Sequence, residues 1–336
     1  MNILKSKVYN QINLYNFMQN VLWLSEVSEK DSGLIGNKAL ELSKLYKLKL
    51  PVPQAFILSG KCFKNFLDNN NLSRQIYSIL ANLDVNNFKL LQAKVSEINE
   101  IIMKTEFSEN LKKEILEGYD NLNVDEKLLG KINKNALDLI RVGRSLPYVA
   151  LRSSIINQFQ NQDSTFLNVK GISSLITNIK KTWSALFNFD NIYHRAQQNI
   201  NHEDVSVAVI IQKMINAEKS GIVYVNEEDN EIKIETVTGM PEILLMKLTN
   251  PNLYTIDKDK LEIKDKIINH QSIYITRDEF GNNVKKELNN PKELIDDEAI
   301  ALASYYNQLS KHYNKNISFE YAIENSKINI LKVKEF

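Results

Sequence analysis

The chain has 336 residues, of which 43% are hydrophobic and 25% charged, with 42 Lys and Arg against 41 Asp and Glu. It is long enough to bury a core without disulfides or metals, and a net charge of +1 supplies no global field toward nucleic acid or anionic membrane. The single cysteine, Cys62, permits no internal disulfide, no run of about 18 apolar residues occurs, and Met1 to Asn20 shows no secretory cleavage pattern; a soluble cytoplasmic protein with no nucleic-acid or membrane partner is expected.

In chain order, Val21 to Leu24 reads as a short strand, and Gly33 and Gly36 lie in the loop after it. A helix runs from Lys38 with Leu40, Leu42, Leu45 and Leu48 at helical spacing, and Pro51-Val52-Pro53 ends it. Ala55 to Leu58 is a buried strand. From Cys62 to about Leu139 the pattern is mostly helical: Lys89 to Met103 repeats apolar residues helically, and Ser108 is placed to cap the next helix. Tyr148 to Leu151 reads as a short strand that Arg152 ends, and Thr165 to Val169 as another. Ile172 to Gln198 is a helix or helix pair. Strands are expected at Val205 to Met214, Gly221 to Val225, Glu231 to Val237 and Ser272 to Thr276. Asp296 to Tyr313 is an amphipathic helix, and strands Ile317 to Ile323 and Ile328 to Val333 flank the turn Glu324-Asn325-Ser326-Lys327. The change from helix-rich to strand-rich near residue 200 divides the chain into a 1–200 lobe and a 201–336 lobe, an α+β fold.

No P-loop, Rossmann, H-E-x-x-H, paired C-x-x-C or G-x-S-x-G motif is present. The four histidines, His194, His202, His270 and His312, form no cluster and read as surface residues. What remains is dispersed. Lys38 opens a helix after Gly36, where a helix N-terminus attracts phosphate, or it is simply a solvated lysine. Arg152 with the Ser153 and Ser154 hydroxyls suits phosphate oxygens, or forms an ordinary ion pair. Glu320, amid an apolar strand, is either paired or holds a divalent cation together with phosphates.

The order of these residues resembles one family. Leu34-Ile35-Gly36-Asn37-Lys38-Ala39 and Pro51-Val52-Pro53-Gln54-Ala55-Phe56 resemble its glycine-glycine-lysine opening and P-V-P-x-x-F. Val149-Ala150-Leu151-Arg152-Ser153-Ser154 resembles V-A-V-R-S-S, and Thr165 to Val169 resembles T-[FY]-L-N-V. Trp183 to Phe187 with Tyr193-His194-Arg195, Val209 to Met214 with Ser220 to Val223, Thr238 to Glu242 with Asn250-Pro251-Asn252, and Phe319 to Ile323 resemble later segments. The family is the nucleotide-binding domain shared by phosphoenolpyruvate synthase, pyruvate phosphate dikinase and rifampin phosphotransferase. The resemblance implies an ATP-grasp-like fold with ATP held between two lobes. It implies that Lys38 and Arg152 hold ATP phosphates and act in catalysis, that Thr165, Gln212, Glu242, Lys332 and Lys334 contact the nucleotide, and that Glu320 helps to hold Mg2+.

Several departures stand out. The 155–162 loop is shorter than the family's, lacks its acidic pair and carries Asn161 where the family has glycine; Asn37 and Pro241 also replace glycines. The final Leu331-Lys332-Val333-Lys334-Glu335 has lysines for a glutamine and an arginine, which keeps charge but loses the bidentate fork. The family's swivelling phosphohistidine domain is not among these 336 residues, and none of the four histidines has its phosphoacceptor context. The expectation is therefore a phosphotransferase half that phosphorylates a histidine on a separate phosphohistidine or substrate-domain protein. The alternative is a catalytically impaired nucleotide-binding or interaction module of the same fold. An unrelated α+β scaffold would require accidental matches.

Overall fold

The computed structural model describes residues 20–124, 146–157, 164–226 and 230–335. They fall in two compact units, one drawn from residues 1–47 and 54–214, the other from 48–53 and 215–336.

The first unit begins with β1 (Val21–Trp23), one 3-10 turn, α1 (Ser32–Lys47), β2 (Ala55–Leu58) and four helices: α2 (Gly60–Asn69), α3 (Leu72–Ala81), α4 (Phe88–Lys104) and α5 (Glu109–Asn121). Then come β3 (Val149–Ile156), β4 (Thr165–Val169), α6 (Ile172–Ser184), α7 (Phe189–Gln197) and β5 (Ser206–Lys213). Small polar side chains cap four of these helices. Ser59 accepts from the Cys62 N–H (3.2 Å), Asn87 from Leu90 (3.1 Å), Ser108 from Leu111 (3.3 Å) and Asn188 from Asn191 (2.8 Å). The strands form one antiparallel sheet in the order β1-β2-β5-β3-β4. Residues alternate between its faces, and Phe56, Leu58, Val149, Leu151, Val207, Val209 and Ile211 all point into a core shared with the helices. Trp183 lies at the centre of that core, its ring centroid 5.6 Å from Phe63, 5.0 Å from Phe66 and 5.3 Å from Phe107. Cys62 is buried there too, and burial pushes its thiol up, away from the reactive thiolate.

The second unit continues with β6 (Lys219–Asn226), β7 (Glu231–Thr238), the single-turn α8 (Glu242–Leu245), β8 (Asn252–Asp257), β9 (Ile263–Ile267), β10 (Ile273–Arg277), β11 (Asn283–Glu287), α9 (Asp296–Tyr313), β12 (Ile317–Glu324) and β13 (Lys327–Glu335). Six strands form an antiparallel sheet, β13-β12-β6-β7-β8-β9, and β10 and β11 form a separate ribbon. Helix α9 starts with Asp296, Asp297 and Glu298, which suit its dipole, and Asn314 ends it in the left-handed conformation. It buries Ala299, Leu302, Ala303, Tyr306 and Leu309. The short stretch 48–53 joins this unit through Ile330 N–H to Pro51 O (2.7 Å) and Gln308 to Leu48 O (2.9 Å).

Three strands carry no expectation from the sequence: β8, β9 and β11. For β9 and β11 the reason is pairing rather than pattern. In β9, Lys264 to Ile267 are exposed, and in β11 four of five residues are; hydrogen bonds to β8 and β10 hold them extended. Gly33 belongs to the first turn of α1 rather than to a loop, while Gly36 interrupts that helix with non-helical backbone angles. Strand β3 runs on to Ile156, so Arg152 lies in its middle and not at its end. Among the described residues no helix is long and apolar enough to cross a membrane.

Candidate functional site

In the first unit the sheet face opposite the apolar core carries the polar residues. Arg152 on β3 is the direct cross-strand partner of Thr165 on β4 and of Ile210 on β5. Directly opposed Cα atoms in such a ladder are about 4.5–5.5 Å apart, so Arg152 and Thr165 share one patch of surface. Gln212 on β5 stands opposite Ala150, two residues before Arg152 and on the same face. Arg152 is half-buried, Thr165 exposed and Gln212 buried. The antiparallel order brings the three together from strands separated by 60 positions of chain.

Helix α1 packs on β3 and β5. At Gly36 its backbone leaves helical geometry (φ 71, ψ 170). This is the left-handed side of φ space, which glycine adopts without penalty. A β-carbon there would lie 2.3 Å from the Ile155 carbonyl oxygen and 2.8 Å from Ser154 Oγ, so the turn touches the strand through the missing side chain. Lys38 follows two residues later and is exposed. Lys38, Arg152, Thr165 and Gln212 thus belong to one sheet face and the helix laid against it.

The two serines after Arg152 do not present hydroxyls to a phosphate as the sequence suggested. Ser154 is fully buried and its Oγ accepts the Ala39 N–H at 3.1 Å. Ser153 points to the opposite face; its N–H donates to Ser164 O and its Oγ accepts from Ser164 N–H, both at 3.0 Å. Backbone partners, which must be satisfied in the interior, occupy both hydroxyls. Asn161, in place of a family glycine, lies outside the described residues.

In the second unit Glu320 on β12 is the cross-strand partner of Lys332 on β13 and of Ile222 on β6, and Lys334 stands opposite Ser318. Glu320 is half-buried and both lysines are exposed. A bulge between Glu320 and Tyr321 breaks the register with β13 at this point. The same row continues through Ile222 to Glu235 on β7, a carboxylate the sequence reading did not single out. The alternation Glu231-Ile232-Lys233-Ile234-Glu235, with both isoleucines buried, carried the signal for it. Glu235 accepts from the Tyr224 hydroxyl at 3.0 Å, and burial first, then this carboxylate, pushes the phenol up to about 12. Two strand spacings, about 9.6 Å, separate the Glu320 and Glu235 backbones.

Among the described residues no group of three or more His, Cys, Asp or Glu could cage a metal. The donor set fits a magnesium that arrives with its nucleotide, since Mg2+ usually takes one or two carboxylates plus phosphate oxygens; Glu320 is such a single carboxylate. Glu242 opens α8 after a turn at Gly239 (φ 89), where a β-carbon would lie 2.6 Å from Ile275 O. Its Oε1 accepts from Asn283 at 3.4 Å, while its buried Oε2 has no hydrogen-bond partner among the described residues.

The histidines stay apart from these groups. His194, His270 and His312 are exposed. His202 is half-buried and accepts from Arg195 Nε at 2.9 Å, so it is not the surface residue the sequence suggested. Burial and the neighbouring guanidinium hold it down at about 4.

The model of the pyruvate phosphate dikinase AMP/ATP-binding domain matches residues 32–335. The chain belongs to that family. A probable phosphoenolpyruvate synthase of Archaeoglobus fulgidus is 35% identical over 325 residues, covering 93% of this chain and 41% of that protein. One from Methanocaldococcus jannaschii is 30% identical, covering 94% and 26%. The phosphoenolpyruvate synthase of Pyrococcus furiosus is 24% identical, covering 95% and 43%. The chain therefore spans less than half the length of these relatives. Both polar faces described above lie within the stretch that matches this AMP/ATP-binding family.

Proposed function

We propose that the chain binds Mg-ATP in an ATP-grasp-like arrangement and passes the β-phosphoryl group to a histidine of a separate phosphohistidine protein, while the γ-phosphoryl group goes to water or inorganic phosphate and AMP is released. The observation that carries the nucleotide reading is the convergence of Arg152, Thr165 and Gln212 on the face against which the Gly36 turn and Lys38 are laid. Arg152 and Lys38 take the phosphate oxygens, Arg152 through its planar fork and Lys38 as a point charge beside a helix start. Thr165 and Gln212 contact the nucleotide, Gln212 near the base through a buried amide that selects by hydrogen bonding. In the second unit Glu320 holds magnesium, and Lys332, Lys334 and Glu242 contact the nucleotide. Bound magnesium neutralises charge on the transferring phosphoryl group. The protein residues contribute position and fixed charge rather than covalent chemistry.

Calorimetry with ATP, ADP and AMP, with and without Mg2+, tests this. Binding of ATP that weakens about tenfold or more in Arg152→Ala, the loss expected for a charge-assisted contact, supports the site. No heat at millimolar ATP sinks it. Catalysis is read separately: with a phosphohistidine acceptor protein present, AMP forms in the wild type and not in Lys38→Ala or Glu320→Ala. Binding without AMP formation would favour the impaired module, for which the Lys332 and Lys334 replacements on the Glu320 face argue.

A further inference from the structure

Helix α1 is interrupted at Gly36 and starts afresh at Asn37. Gly36 then stands where a capping side chain belongs, and Ala39 is the third residue of the new helix. The N–H of that third residue is the one a Ser, Thr, Asp or Asn cap normally accepts. Glycine has nothing to offer it. The acceptor comes instead from Ser154, 115 positions away on β3, at 3.1 Å. The hydroxyl is fully buried, and the glycine's lack of a side chain is what admits it. Ser154 lies two residues beyond Arg152 on the same strand and face, and Ala39 directly follows Lys38. One hydrogen bond therefore ties the turn that carries Lys38 to the strand that carries Arg152. Ser153 makes no such link, because its hydroxyl serves Ser164 on the other face.

We propose that Ser154 is a positioning residue: an external helix cap that fixes Lys38 relative to Arg152, and so sets the spacing of the two cations that receive the β- and γ-phosphates. The inference rests on the nucleotide reading above. It assigns the buried hydroxyl to the protein and leaves the phosphate contacts to the two cations.

The test is calorimetry on the full chain. Ser154→Ala weakens ATP about fivefold, the size of a lost cap, and leaves AMP, which has no β- or γ-phosphate, at wild-type affinity. In a Lys38→Ala background the same change adds less than about twofold, because the residue it positions is gone. Gly36→Ala, which pushes the turn off β3, gives the same selective loss of ATP. If Ser154→Ala does not fold, Ser154→Cys, near in size but a far weaker acceptor, carries the comparison. Equal losses for ATP and AMP, or a full loss persisting in the Lys38→Ala background, overturn the positioning role. So does wild-type ATP affinity in Ser154→Ala while Lys38→Ala is weakened; that result leaves the nucleotide reading standing. A wild type that fails to bind millimolar ATP overturns both.

Discussion

Lys219 at the start of β6 and Glu298 in the first turn of α9 form an ion pair in direct contact, with side chains only 11% and 7% exposed. Lys219 also donates to Glu293 O at 3.3 Å, and Glu298 accepts the Ile295 N–H at 3.1 Å. Lys219→Met removes the cation and leaves a desolvated carboxylate with one backbone N–H. Breaking a buried pair in this way costs about 3–5 kcal/mol, because the surviving charge has lost both water and partner. Glu298→Leu leaves the ammonium with one carbonyl and also strips the start of α9, which adds about 1 kcal/mol. Making both changes removes both charges, so the double variant should be far more stable than the sum, with a coupling of about 2–3 kcal/mol. Urea unfolding followed by far-ultraviolet circular dichroism measures all four corners of the cycle. Repeating it in 1 M NaCl should leave the coupling intact, whereas an exposed pair such as Lys104–Glu100 is screened. Single variants that each cost under about 1 kcal/mol, or that simply add in the double, would refute the reasoning.

Three further outcomes are expected. His202 has a folded-state value near 4 against an ordinary 6.5, so its neutral form is favoured by folding. Stability from it is complete above about pH 6.5 and is lost as pH falls toward 4; His202→Gln, which keeps an acceptor for Arg195, should lose less stability between pH 7.5 and 5 in urea titrations. Asn325 and Ser326 both have positive φ (50° and 60°) in the two-residue turn between β12 and β13. Ser326→Gly suits that turn and should raise stability by about 0.5–1 kcal/mol, measurable as a higher urea midpoint. At Gly221 a β-carbon would sit 1.8 Å from the Glu235 carbonyl oxygen, so Gly221→Ala must part β6 from β7; soluble yield and melting temperature should both fall sharply.

Elements whose signal is local were readable without coordinates. The amphipathic spacing and acidic start of Asp296 to Tyr313 define α9, and the apolar Ala55 to Leu58 run defines β2, because burial demand repeats with the geometry of one element. Ordered motifs from the Gly36 turn to Glu320 carried the family, since each preserves its own residues within a few positions. Fold class followed from the same reading at the level of mixed helix and sheet.

Register across strands was beyond the sequence. Nothing within Thr165 to Val169 says that Thr165 faces Arg152, and nothing in β12 says that Lys332 faces Glu320; a slip of one residue would have turned each side chain to the other face. The charged stretches that became β9 and β11 lack a strand pattern, because neighbouring ladders rather than burial hold them. Ser154 shows the limit best. As a letter beside Arg152 it looked like a phosphate ligand, but a buried hydroxyl must satisfy whichever partner the packing brings, and the packing of Gly36 against β3 brought the amide of Ala39. Local pattern was enough for most helices and strands and for the family, whereas which polar groups meet was settled by register and packing between separate elements, 12 positions apart for Glu320 and Lys332 and 115 for Ser154 and Ala39.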